Sequence, residues 1–416
     1  MEKIEIFNAI VAIFFFVCYS YQFVYIAIPL LIRPKAHLPA VAHRYAVLIS
    51  ARNEERVIAQ LIESIKGQTY DPALITTFVI ADNCTDRTAR IARQAGAVVY
   101  ERFNMVHTGK GYALDELLRH IAHDYPDSPF DGYFVFDADN VLASTYVEEM
   151  NRTFSDGHRI ITGYRNSKNY GDNWISAGYG LWFLREAQYL NRPRMRIGTS
   201  CTVSGTGFLF SREILQRMGG WPYHMLTEDI EFSAANILKG ERIAYCAGAV
   251  FYDEQPVKFG QSWRQRLRWS KGYLQVFGKY GPQLLKGILK GSFSCYDMCM
   301  NIMPAIIVTV LSVIVNGAAA IDGLSQYGGF STVLWSFLST MFSFYLTLYL
   351  SGLITTVTEW RVIHTVWWKK LAYTFTFPLF TMTYMPLALL ALFKKVSWQP
   401  IEHTRVKDLS DILKGG

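Results

Sequence analysis

Tyr133-Phe134-Val135-Phe136-Asp137-Ala138-Asp139 decides the reading of the fold: an apolar run ends abruptly in two carboxylates. A short apolar run closed by polar residues reads as a buried strand. Three further stretches, 45–50, 76–81 and 97–101, have the same character, and with 132–137 they form a set of strands. Helical patterns at 53–67, 85–95, 110–123 and 144–154 lie between or after them. Alternation of this kind predicts an α/β domain with a mostly parallel sheet and ligands at the carboxyl ends of its strands.

Flanking sequence is apolar. The chain has 416 residues, 18% charged and 15% aromatic, with a mean hydropathy of +0.12, which tilts toward a membrane protein. Residues 4–32 are nearly uncharged and too long for a secretory signal core, so they predict an anchor. Arg33, Lys35 and Arg44 follow, which puts the next domain in the cytoplasm. Further apolar runs lie at 301–321, 330–357 and 371–393. The last contains Pro378 and Pro386, and basic residues flank both its ends, so a kinked helix and a re-entrant segment both fit. The expected organisation is an anchor and linker at 1–44, an α/β domain at 45–255 and interfacial amphipathic helices at 256–300. Transmembrane segments at 301–393 and a cytosolic tail at 394–416 follow.

The net charge of +7 suits anionic lipid or nucleoside diphosphates. No basic run or nucleic-acid motif accompanies it, so nucleic acid is not an expected partner. Six scattered cysteines read as free thiols. Gly109-Lys110-Gly111 lacks the flanking residues of a P-loop, and no Gly-x-Gly-x-x-Gly follows the first strand.

Candidate chemistry is spread along the chain. Asp137 and Asp139 stand two apart, and in extended backbone both would face one divalent cation. Asp82, ending the second strand, is expected to be free for a base or ribose contact, with Thr85 or Asp86 capping the next helix. Thr227-Glu228-Asp229 opens a helix, with Thr227 a candidate N-cap; a carboxylate there is a candidate general base. Gln265, Arg268 and Trp269 share one helical face: the guanidinium suits a diphosphate and the indole a sugar ring. Ser204-Gly205-Thr206-Gly207 permits close approach to the backbone, or is a tight turn before a helix at Ser211.

In this order Asp137-Ala138-Asp139, Thr227-Glu228-Asp229 and Gln265-Arg266-Leu267-Arg268-Trp269 resemble the processive membrane glycosyltransferases of family 2: cellulose, chitin, hyaluronan and poly-N-acetylglucosamine synthases. The resemblance covers about residues 45–275. It implies a GT-A (Rossmann-like) cytosolic domain inserted between transmembrane helices, a UDP-sugar donor (UDP-glucose or UDP-N-acetylglucosamine) and Mg²⁺ or Mn²⁺. It implies inverting, processive transfer to a growing polysaccharide, coupled to export. By resemblance, Glu54, Asp82, Lys110, Asp137 and Arg268 contact the donor, and Asp139 and Asp137 the metal. Asp229, with Glu228, is catalytic; Gln265, Trp269, Gly205 and Thr206 meet the acceptor. Trp398, Thr404 and Arg405 loosely resemble a Trp-x-Thr-Arg gate, at different spacing. Four apolar segments are few for a polymer channel, so a second copy or an export partner would complete it. Two alternatives stand: a single transfer to a lipid or lipid-linked glycan, and an inactive nucleotide-sugar sensor or export-channel subunit.

Overall fold

The computed structural model describes residues 2–127, 130–302, 314–315, 317–318, 330–401 and 403–414. Its centre is an eight-stranded sheet: β1 (Tyr45–Ala51), β2 (Ile75–Asp82), β3 (Val98–Arg102), β4 (Gly132–Asp137), β5 (Val141–Leu142), β6 (Ile160–Ser167), β7 (Phe208–Ser211) and β8 (Ile243–Asp253). Their order is β3-β2-β1-β4-β7-β6-β8-β5. The first four are parallel and lie where the sequence predicts them. The other half makes the sheet mixed while leaving it mostly parallel, as expected: four of its seven strand pairings are parallel, and only β5 and β7 are reversed. Strand β7 runs antiparallel to both β4 and β6, while β6 and β8 are parallel and β5 closes the edge antiparallel to β8.

Helices cover both faces. Two apolar layers flank the sheet because its central strands are buried on both sides, as parallel strands must be. Along the first half come α1 (Glu2–Tyr19), α2 (Tyr21–Leu31), α3 (Ile58–Lys66), α4 (Thr88–Gln94), α5 (Lys110–Asp124) and α6 (Tyr146–Ser155). Helix α3 starts five residues later than the periodicity suggests, because Asn53 takes a positive φ of 57° and holds 53–57 in a loop. The N-cap position of α4 is Arg87, which makes no side-chain cap; Asp86, one residue earlier, accepts from the Thr88 amide and hydroxyl at the first helical position.

The second half contains α7 (Trp174–Glu186), a π-helical turn at Ala187–Asn191, α8 (Arg192–Ile197), α9 (Arg212–Met218), α10 (Glu228–Leu238) and the 31-residue α11 (Phe259–Leu289). Ser211 does cap a helix, with its hydroxyl accepting from Ile214 N at 3.2 Å, but the turn at 204–207 leads first into β7. After α11 come α12 (Phe293–Ile302), α13 (Phe330–Thr358), α14 (Trp367–Met382), α15 (Tyr384–Phe393) and α16 (Leu409–Lys414).

The apolar segments depart from simple spans. Residues 4–32 lie in the successive helices α1 and α2, which meet at Ser20, and the stretch Phe16–Leu31 is an apolar helix shorter than a full span. Met341–Thr358 and Trp367–Phe393 are long and apolar enough to cross a membrane. Most of the run at 301–321, and the loop 322–329 after it, lie outside the described residues. The proline-containing segment is a kinked helix, bent at Thr383 between α14 and α15. Arg266 of α11 donates to the Phe380 carbonyl at 3.0 Å and to the Thr383 hydroxyl at 2.5 Å, so the bend is held by a buried guanidinium.

One buried ion pair joins this helical layer to the N-terminal helices. Arg194 of α8 donates through Nε and Nη2 to both oxygens of Asp297 on α12, each at 2.7 Å. Tyr21 and Tyr25 of α2 add hydrogen bonds to the same carboxylate at 2.9 and 2.6 Å. Asp297→Ala should destabilise the fold by about 3–5 kcal/mol, because it strands a buried guanidinium. Arg194→Met/Asp297→Leu should recover most of that loss, as read by thermal unfolding in detergent. Equal loss in the single and double variants would show that the pair's charge is not what matters.

Candidate active site

Acidic residues gather at the carboxyl edge of the sheet, and a cation meets each. Lys110, the first residue of α5, donates to Asp137 Oδ1 at 2.5 Å and to the Gly205 carbonyl at 2.7 Å. One ammonium therefore ties the tip of β4 to the turn before β7. That turn needs its glycines: Gly205 and Gly207 have φ of 79° and 66°, and a Cβ on Gly207 would lie 2.1 Å from the Phe251 ring. Thr206 is committed to structure rather than open to an acceptor. Its hydroxyl accepts from the Asp137 amide at 2.8 Å and donates to Asn140 Oδ1 at 2.5 Å.

The two metal-motif carboxylates do not share a face by strand alternation. The chain turns at Ala138, closed by the Asn140 amide donating to the Asp137 carbonyl at 3.1 Å, so Asp139 leaves the strand. Asp139 is buried and accepts from the Glu254 amide at 2.8 Å and from Asn140 at 3.2 Å, whereas the Asp137 side chain is 38% exposed. Among the described residues no three His, Cys, Asp or Glu side chains stand close enough to cage a cation. Hard divalent cations are often held by one or two carboxylates plus substrate phosphate oxygens, and the Asp137–Asp139 pair fits that pattern.

Asp82 is not free. It is buried at the tip of β2, and its Oδ1 accepts from Arg102 at 2.6 Å and from Asn83 at 2.9 Å. Arg102 ends the neighbouring strand β3, so the sheet edge supplies its own counter-charge; that partner lay unmarked in the sequence.

Glu54, also expected at the donor, meets a residue that no motif marks. His403, from the C-terminal tail, places Nδ1 2.8 Å from Glu54 Oε1 and Nε2 4.0 Å from Asp139 Oδ2. Burial alone would discharge this imidazole, but Asp139 and Glu54 outweigh it and push its pKa up to about 10. Glu54 is raised to about 7, by burial first, with His403 opposing. One imidazolium thus serves two carboxylates and cannot fully compensate both. The rest of the tail is fastened alongside: the Thr404 and Arg405 amides donate to Glu254, Arg405 pairs with Asp172 at 2.9 Å, and Trp398 packs on Gly109. Lys168 is a further buried cation here, its Nζ without a hydrogen-bond partner among the described residues and within electrostatic reach of Asp139 and Glu254.

Glu228 and Asp229 begin α10. Thr227 does not cap that helix through its side chain; its hydroxyl instead lies where a Cβ on Gly272 of α11 would approach to 2.5 Å. Burial raises the pKa of both acids; their adjacency raises Glu228 further, while Lys110 and Arg268 pull both down. Asp229 Oδ2 faces Gly205, 4.0 Å from where a Cβ there would stand. Lys110, the Gly205 turn and Asp229 therefore converge, although 119 residues separate Lys110 from Asp229.

The face expected for Gln265, Arg268 and Trp269 exists on α11. Arg268 reaches the loop before α10, donating to the Leu226 carbonyl at 2.9 Å. Trp269 packs edge-on against Tyr179 at 5.7 Å and Phe183 at 6.3 Å between ring centroids. Gln265 Oε1 is buried with no partner among the described residues.

A sheet whose carboxyl edge carries paired acids, closed by a helix that presents a further acid beside a glycine turn, is the architecture of a GT-A-like glycosyltransferase. Residues 43–272 match the model of the glycosyltransferase-like family 2, and the chain belongs to that family. It is 27% identical over 266 residues to the probable glycosyltransferase YdaM of Bacillus subtilis, covering 58% of each chain. It is 25% identical to a beta-monoglucosyldiacylglycerol synthase of Nostoc (61% of this chain, 54% of the relative). Against a poly-beta-1,6-N-acetyl-D-glucosamine synthase of Staphylococcus aureus it is 24% identical (55% and 54%). The chain spans little more than half the length of these relatives. The mannosyltransferase PcManGT of Pyrobaculum calidifontis, solved with GDP-Man and Mn²⁺, shares the fold at a TM-score of 0.57 and 16% identity. That match covers 92% of this chain and 98% of the other.

The tail contact carries a pH prediction. His403 has a raised pKa, so its contribution is fully present below about 6.5 and is lost as pH rises through about 10. Proteolytic cleavage of the tail should therefore be slow near pH 8 and accelerate above pH 10. In His403→Asn it should be fast at both. A tail equally resistant at both pH values would contradict the charge-held attachment.

Proposed function

We propose that the chain transfers a hexosyl group, with inversion, from a UDP-sugar to the end of a growing polysaccharide at a membrane, processively and coupled to export. UDP-glucose and UDP-N-acetylglucosamine are the donors considered. The observation that carries the reading is the placement of Asp229 across the Gly205 turn from the Lys110–Asp137 contact, so that one turn separates a raised-pKa carboxylate from the cation-lined strand tips.

In this reaction the Asp229 carboxylate takes the proton from the acceptor hydroxyl, and the freed oxygen bonds to the anomeric carbon. The bond from that carbon to the diphosphate breaks on the opposite face, and the electron pair leaves with UDP. A pKa above the ordinary carboxylate range suits a base working near neutrality. Lys110 and Arg268 supply fixed positive charge near the departing diphosphate. Asp139 and Asp137 would hold Mg²⁺ or Mn²⁺, which when bound neutralises charge on the leaving group. Glu54 and Asp82 line the nucleoside side, and Gln265 and Trp269 the acceptor side.

A lipid or lipid-linked acceptor is the second reading. Its support is that α11 is fastened directly onto the kinked apolar helix, through Arg266 to Phe380 and through Lys271 to the Ala391 carbonyl at 2.9 Å. An acceptor confined to the bilayer would meet the site there without a polymer channel.

Three measurements test the reading. EDTA should abolish UDP release, and Mn²⁺ or Mg²⁺ should restore it; full turnover in EDTA would remove the metal from the mechanism. Asp229→Asn should lower turnover by about a hundredfold or more while leaving UDP affinity nearly unchanged. A near wild-type rate would assign the base elsewhere. Products of the wild type, resolved by mass, should form a ladder of lengths; a single added sugar on a lipid would select the second reading.

A further inference from the structure

Glu186 is the last residue of α7, at the point where the helix widens into the π-helical turn Ala187–Asn191. Such widenings often re-aim a side chain at a functional site. Its Oε1 accepts from the Ser204 hydroxyl at 2.5 Å, on the same turn whose Gly205 carbonyl holds Lys110. Its Oε2 has no hydrogen-bond partner among the described residues, yet is not sealed from solvent.

The surroundings explain why that oxygen matters. Glu186, Ser204, Gly205, Asp229 and Tyr273 are all half-buried, and they come from α7, the turn, α10 and α11. They cluster on the Asp229 side of the turn, each partly exposed. Charged and titratable groups near Glu186 are Arg185 beside it on α7, Asp229 of α10, Tyr273 of α11, Arg165 of β6, Arg194 of α8 and Tyr384 of α15. None of the three arginines forms an ion pair with it among the described residues; Arg185 donates to Gln22 at 3.0 Å. Arg165 is committed to Asp253 and the Ser204 carbonyl, and Arg194 to Asp297. Burial accordingly raises the Glu186 pKa. A deep carboxylate without an ion-pair partner is costly, and such groups concentrate where a ligand uses them.

We propose that Glu186 is an acceptor-binding residue: its free Oε2 accepts a hydrogen bond from a hydroxyl neighbouring the one that Asp229 deprotonates. This cluster, with two carboxylates and a phenol, suits a neutral polyhydroxyl acceptor and repels a phosphate or carboxylate there. This rests on the reading of Asp229 as the base. It adds the residue that orients the acceptor and the charge class that the acceptor must have.

The test uses the full chain in detergent with UDP-glucose and UDP-N-acetylglucosamine, and with cellotetraose, chitotetraose and dioleoylglycerol as acceptor probes. Glu186→Gln should raise the acceptor KM about ten- to a hundredfold, the worth of a hydrogen bond to a charged group, with donor KM and UDP affinity unchanged. Ser204→Ala, which removes only the clamp on the turn, should raise it much less, and Glu186→Asp should restore part of the loss. Equal acceptor KM in Glu186→Gln and Ser204→Ala would make Glu186 a structural clamp and overturn the proposal. So would an unchanged acceptor KM, or a parallel loss of UDP affinity. A wild type that releases UDP with none of these probes would instead overturn the proposed reaction, and this role with it.

Discussion

The carboxyl edge of the sheet depends on one electrostatic interaction: the acids at and beside its strand tips are met by cations. Asp82 is met by Arg102, Asp137 by Lys110, Asp253 by Arg165, and Glu54 with Asp139 by His403. These pairs do more than offset charge. Lys110 and Arg165 each also donate to a backbone carbonyl of the 204–205 turn, at 2.7 and 2.9 Å, so neutralising two strand tips fixes the segment that faces Asp229. Buried pairs seldom stabilise a fold more than apolar residues would, so their value here lies in fixed geometry.

Uneven compensation separates the parts of the site. Where a cation is fully engaged, as at Asp82, the carboxylate is a fixed element of the edge. Burial raises the pKa of the paired Asp82 and Asp253 as it does of Glu186, Glu228 and Asp229; what sets the last three apart is that no ion pair occupies them among the described residues, which leaves capacity for a proton or a ligand hydroxyl. The strand tips are consequently rich in committed cations. The Asp229 side holds uncommitted acids.

The helical layer transmits position from the apolar segments to this edge. Helix α11 carries Arg266 to the bend at Thr383 and Arg268 to the loop before α10, two residues apart in sequence and on different sides of the helix. Gly272 lets the same helix lie against Thr227. Movement of the kinked apolar helix would therefore be felt at Glu228 and Asp229 through one rigid rod.

The four parallel strands, the helices between them and the acidic motifs were legible in the sequence, because local periodicity and strand-ending acids are local properties. Asp229 was legible for the same reason, as a second acid at a helix start. Tertiary structure alone decided the antiparallel strands β5 and β7, since β7 is four residues long and its pairing with β4 spans 73 to 79 positions. It also decided which acids are committed. Asp82 read as free and is paired; Thr206 read as acceptor-facing and is spent on the Asp137 amide and Asn140; Asp139 left the strand at a turn that alternation ignores. Glu186 and His403 carried no motif, because their partners, Ser204 and Glu54, are 18 and 349 residues away. Sequence spacing shows which charges exist and the local shape that each adopts; only the closed fold brings distant charges within a few ångströms, where desolvation and pairing decide which remain available for chemistry.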